Sequence, residues 1–173
     1  MKRLLQLFLV LVFALAMQAQ DASKPIHMVR IYRVNFNIYE LEDGKKINER
    51  NYSLPVSSID GNGRPGSIKV GTRVPVTSKE GQQIQYIDVG MNIDCDVTEQ
   101  AEKFILSSNL EISSFALPDQ NADPRAGGNP ILRQVRQHFV ALLAPGKPTL
   151  VTSIDDTNSR KRMQVEATVT RIE

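Results

Sequence analysis

The chain has 173 residues, 41% of them hydrophobic and 23% charged, which suits one folded domain and excludes a multidomain machine or a disordered chain. Lys and Arg number 21 against 19 Asp and Glu, and loss of Lys2 and Arg3 with a leader would leave the two signs equal, so no concentrated basic face for nucleic acid is expected. A single Cys excludes an internal disulfide, and one Cys with two His is too few for a zinc cluster.

The first nineteen residues, MKRLLQLFLVLVFALAMQA, begin with a positive pair, continue through an apolar run and end in small residues. This is the pattern of a secretory signal peptide, and the run is short of the roughly 20 residues a spanning helix needs. Residues 1–19 are therefore expected to be a signal peptide and 20–173 a single exported domain, in the periplasm or at the outer membrane, with no Cys at the junction to carry a lipid.

From Asp21 onward the hydrophobic period is two, and turn residues recur at short intervals, which predicts an all-β fold. Residues 30–41 place Tyr32, Val34, Phe36 and Ile38 on one face, and Asp43-Gly44 offers a reversal into a second strand at 47–56. An N-terminal hairpin over 28–56 is thus expected, followed by a Gly-rich loop over 57–66 and a core over 67–173. The core opens with a short strand at 67–76. The clearest element is 83–98, where Ile87, Val89, Met91, Ile93, Cys95 and Val97 alternate with Asp88, Gly90, Asn92, Asp94, Asp96 and Thr98. Phe104, Leu106, Leu110 and Ile112 repeat the pattern, residues 117–130 form a polar loop, and strands follow at 131–143, 149–154 and 162–172. The expected fold is all-β, an antiparallel sandwich or barrel segment of about eight strands.

Candidate chemistry is sparse. Cys95 lies among apolar residues on its strand and reads as an inert buried thiol. His138 and His27 have no G-x-S-x-G partner. Asp88, Asp94 and Asp96 share one strand face, which a solvated wall explains better than a metal or an acid–base pair. Asp119-x-Asn121-x-Asp123 begins like a calcium loop, but Pro124 and Pro130 stand where that loop requires Gly and Glu. No phosphate-cradling glycine motif is present, and no catalytic, cofactor or metal residue is assigned; the expectation is a protein that is not an enzyme and takes no cofactor or nucleic acid.

Several segments in order carry a family resemblance. Gly71-Thr72-Arg73-Val74-Pro75-Val76 resembles a Gly-x-x-Val-Pro strand, and Gln85 to Ile93 resembles a Val-x-Tyr-x-x-Val-Gly-x-x-Leu segment. Leu110-Glu111-Ile112-Ser113-Ser114, then Asn129-Pro130-Ile131-Leu132-Arg133 and Pro145-Gly146-Lys147, continue the series. Residues 71–173 are in this way similar to the C-terminal domain of secretins, the ring-forming outer-membrane channels of secretion and type IV pilus systems, in a shortened and divergent form. The resemblance implies a structural or accessory component of such an assembly, meeting other copies or an envelope partner through strand edges, with outer-membrane association. Val74, Pro75, Tyr86, Gly90, Pro130, Arg133 and Gly146 are the structural and assembly candidates it points to. A free-standing monomeric periplasmic binding module is the alternative, and a metal-dependent hydrolase using the strand carboxylates a distant third.

Overall fold

The structure is a computed structural model and describes residues 27–77, 84–115, 132–157 and 159–172. The leader, the 117–130 loop with Pro130 and the Asp119–Asp123 motif lie outside the described residues.

Nine strands are present among the described residues: β1 (Val29–Glu42), β2 (Lys45–Ile59), β3 (Asn62–Arg64), β4 (Gly66–Thr77), β5 (Ile84–Gln100), β6 (Lys103–Phe115), β7 (Leu132–Leu143), β8 (Thr149–Asp155) and β9 (Lys161–Ile172). They form two antiparallel sheets, one of order β3-β2-β1-β9-β8 and one of order β4-β5-β6-β7. The alternation in the sequence sets which residues face inward. Tyr32, Val34, Phe36 and Ile38 of β1 pack with Val165, Ala167 and Val169 of β9 against Met91, Ile93, Cys95 and Val97 of β5 and Phe104, Leu106 and Leu110 of β6. Tyr32 meets Phe104 edge to face across the two sheets, ring centroids 5.2 Å apart. The all-β sandwich expected from the sequence is the observed architecture.

The 57–66 loop is corrected. β2 runs on to Ile59, Asp60 and Gly61 form a tight turn, and Asn62–Arg64 returns as β3. Both turn residues have positive φ (52° and 84°), as do Asp43 and Gly44 (49° and 78°) in the β1–β2 hairpin. An Asp-Gly pair supplies the left-handed conformations that a two-residue hairpin needs. Gly63 is not a strand breaker here but permits close approach: a Cβ on it would lie 2.9 Å from the Val97 carbonyl of β5. This contact draws β3 from the first sheet onto the second.

Two buried serines sit in the core. Ser108 donates to the Asp94 carbonyl at 3.1 Å, whereas Ser58, fully buried on β2, has no partner for its hydroxyl. An unpaired buried hydroxyl costs free energy. Ser58→Ala is accordingly expected to leave stability unchanged or raise it by up to about 1 kcal/mol, read as the midpoint of urea unfolding; a clear loss would show that the hydroxyl has an ordered partner.

Candidate functional site

Among the described residues the four-stranded sheet has β4 as its edge strand on one side and β7 on the other. Its strands are longer than its cover. In β5 the residues from Met91 to Val97 alternate between buried and half-buried, but none from Ile84 to Gly90 is buried. Val70, Ile84 and Tyr86 are 52%, 61% and 64% exposed. Among the described residues this end of the sheet is thus the less covered one, with Ile84 and Tyr86 exposed on one face and Ile87 and Val89 half-buried on the other.

A glycine pair stands where the covered half of the hairpin meets the less covered half. Gly71 and Gly90 stand opposite each other in the β4–β5 ladder, and Gly90 has φ of 150°. A Cβ on Gly71 would lie 2.5 Å from the Val89 carbonyl, and one on Gly90 would collide with the Val70 carbonyl and the Gly71 Cα. Only two residues without side chains let the strands approach this closely. The Gly90 N–H donates to Ser113 Oγ at 3.0 Å, so a β6 side chain serves the backbone at the pair. On the polar face the missing side chains leave a hollow of about 430 Å³ bordered by Lys69, Arg73, Asp88, Asn92, Glu111 and Ser113. Arg73 Nε donates to Asp88 at 2.9 Å and Arg136 to Glu111 at 3.3 Å, both pairs in solvent and worth little to stability. The adjacent Arg73 guanidinium holds the Asp88 carboxyl below the ordinary aspartate range.

Of the residues singled out from the sequence, Val74, Pro75, Tyr86 and Gly90 come together on the β4–β5 hairpin, with Pro75 and Tyr86 facing each other in register. Pro75 lies on a strand with one open side, where its missing N–H is tolerated. Arg133 belongs to the same sheet two strands beyond β5, on the edge strand β7, and reaches Asp156 at 4.0 Å. Gly146 is remote from the glycine pair; with φ of 68° it shapes the turn before β8, and its N–H donates to the Val169 carbonyl at 2.8 Å. These are positions of geometry and contact.

The histidines and strand carboxylates are dispersed. His138 Nδ1 lies 2.9 Å from Asn109 Oδ1, and His27 lies beside Asp60 at 2.5 Å. Asp94 accepts from Asn92 at 3.0 Å. Among the described residues, no group of three or more His, Cys, Asp and Glu is placed to hold a metal ion. Cys95 is 2% exposed, and burial, with Asp96 and Asp94 nearby, pushes its thiol up to about 12. Because the thiolate is the reactive form, the native protein at pH 8 is expected to resist a thiol reagent that titrates one Cys once urea is added; rapid native labelling would place Cys95 outside the core.

A cluster not singled out from the sequence holds the other end of the sandwich. Glu99 of β5 accepts from Tyr32 OH at 2.8 Å, from Arg30 at 2.5 Å and from Arg171 at 2.5 and 2.6 Å. One carboxylate thus ties the second sheet to β1 and β9 of the first. The Tyr32 hydroxyl foremost, then both guanidinium groups, holds its pKa below the ordinary glutamate range. The signal was positional: Arg30, Glu99 and Arg171 each continue an inward-facing row of their strand.

No protein-family model and no curated protein matches the sequence. Solved structures do. A chain of the Klebsiella pneumoniae type II secretion system outer-membrane complex of PulD, PulS and the PulC HR domain superposes with a TM-score of 0.50 at 10% identity, over 85% of this chain and 39% of that one. The fold is secretin-like. The Salmonella SPI-1 type III injectisome secretin InvG gives a TM-score of 0.48 at 11% identity, over 95% of this chain and 69% of that one. The type II secretin GspD of E. coli K12 gives 0.46 at 12% identity, over 85% and 49%. This chain spans less than half the length of the K12 GspD chain and of the Klebsiella chain. At these identities the likeness is one of fold alone, an all-β arrangement of antiparallel sheets.

Proposed function

We propose that the protein is an exported, non-enzymatic envelope component whose secretin-like domain works by strand-edge contact, as a structural or accessory part of a secretion- or pilus-type assembly. The observation that supports this reading is the four-stranded sheet in which, among the described residues, β4 and β7 have no strand paired on their outer sides and one end has no fully buried residue on β5. Open edges of this length are templates for pairing with another chain, and proteins that do not use them cover or shorten them. The placement of Pro75, Tyr86 and Gly90 on the less covered hairpin and of Arg133 on the opposite edge agrees with it. The partner is a second copy or an envelope protein, and the compartment is the periplasm or the outer membrane.

The test is the native mass of the protein extracted from envelope fractions in mild detergent. A large discrete species in the outer-membrane fraction is expected. A single-chain mass confined to the soluble periplasm would overturn the assembly reading and leave a monomeric binding module.

A further inference from the structure

The outward face of the five-stranded sheet differs in chemistry from that of its partner. On the four-stranded sheet the polar face is set with charged cross-strand pairs, Arg73 with Asp88 and Arg136 with Glu111. On the five-stranded sheet the middle rows of the central three strands carry an almost uncharged array, flanked by Arg33 on one side and Glu49 on the other. Ser53, Asn35 and Thr168 lie side by side in one row across β2, β1 and β9, and Asn51, Asn37 and Glu166 in the next. With strands about 4.8 Å apart and rows two residues apart, these six side chains form a regular grid of amides and hydroxyls with one carboxylate at its corner. They border a pocket of about 300 Å³, closed on one side by Pro148.

Two further observations bear on what this pocket takes. Asn37 donates to Glu49 at 2.8 Å, but its own carbonyl oxygen is buried with no hydrogen-bond partner. That oxygen is enclosed by protein and is not presented to a ligand, so the exposed Asn35, Asn51 and Ser53 supply the accessible amides and hydroxyl of the pocket. Glu166 is fixed in place by the Tyr39 hydroxyl at 3.0 Å. No Lys or Arg lines the pocket, Arg33 standing one row beyond it on the same face, and Glu166 at its edge would repel a phosphate, sulfate or carboxylate.

From this juxtaposition we infer that the outward face of the β2-β1-β9 sheet is a binding site for a neutral saccharide bearing hydroxyl and acetamido groups. An Asn amide offers a donor and an acceptor side by side, the complement of an acetamido group or of neighbouring hydroxyls, and Ser, Thr and a carboxylate extend the same vocabulary. The pocket has the size of the smaller ligand sites, and Pro148 supplies an apolar wall for the ring face. The site is on the opposite sheet from the β4 and β7 edges and does not depend on assembly.

The experiment is a titration of the isotope-labelled protein with tri-N-acetylchitotriose, followed by amide chemical shifts, with sodium sulfate as the charged comparison. Saturable shifts centred on Asn35, Asn51 and Thr168 are expected with the saccharide and none with sulfate. Asn51→Leu and Thr168→Val, checked for unchanged circular dichroism and melting temperature, should each weaken binding roughly tenfold. Absence of saturable shifts in the wild-type protein, shifts mapping elsewhere, or unchanged affinity in folded variants would each overturn the assignment. If either variant fails to fold, the wild-type shift map decides alone.

Discussion

Gly90→Val is expected to destabilise the domain by roughly 3–5 kcal/mol and to unpair the β4–β5 hairpin at its glycine pair. Two costs combine. At φ of 150° a β-branched residue is held in a conformation that L side chains rarely adopt, and the new Cβ collides with the Val70 carbonyl and the Gly71 Cα. The Cβ cannot turn aside, since it meets backbone rather than a flexible side chain, so β4 must move away. Gly71→Ala should cost less, because its collision is with one carbonyl and its φ is not in the strained region. The measurement is chemical denaturation of both variants with a spectrum of the native state. If Gly90→Val melts within about 1 kcal/mol of the wild type, the strands do not approach as described.

Glu99→Ala should cost roughly 2 kcal/mol, discounted for the solvent that reaches this rim, a fall of roughly 5 °C in melting temperature for a chain of this size. The carboxylate side chain is 17% exposed, and its loss leaves Tyr32 OH and two guanidinium groups facing one another with no acceptor between them. Removing one partner of a partly buried charge cluster costs more than the cluster contributes, because the remaining charges repel. The same residue predicts a pH dependence. Its folded pKa lies below the unfolded value of about 4.3, so the folded state binds fewer protons than the unfolded state over that interval. Its contribution is complete above the unfolded value and is lost as the pH falls through the folded one. The acid limb of stability should therefore be flatter in Glu99→Gln than in the wild type. Asp60, Asp88 and Asp155 are also lowered, by His27, Arg73 and Arg162 respectively, but they sit in water and should move the curve little. Identical acid limbs would mean that Glu99 is not the carboxylate joining the sheets.

Most of the strands, though not their order in the two sheets, were legible because the alternation is strict where one face is buried. The row from Met91 to Val97 and the row from Tyr32 to Ile38 could be assigned to a core without further information. The reading failed at Gly61 to Gly66, where glycines that allow β3 to lie against β5 resemble glycines that end regular structure. Distinguishing them needs the neighbour, which lies more than thirty residues away along the chain. For the same reason Glu99 was overlooked: a charged residue at the end of an apolar row signals a contact only when the rows of β1 and β9 are known to end beside it. The glycine pair lay between these cases. Gly90 was conspicuous in its strand, but its partner Gly71 and the φ of 150° belong to the pairing and not to either segment alone.

The uneven cover of the long sheet divides the molecule energetically. From Met91 downward the strands share one core and should open only with global unfolding, so their amides would exchange with solvent last. From Ile84 to Val89 no residue of β5 is fully buried, and its backbone bonds to β4 would exchange earlier. Contact with another chain along Ile84 to Val89 can therefore reshape this segment without drawing on the free energy that keeps the core folded.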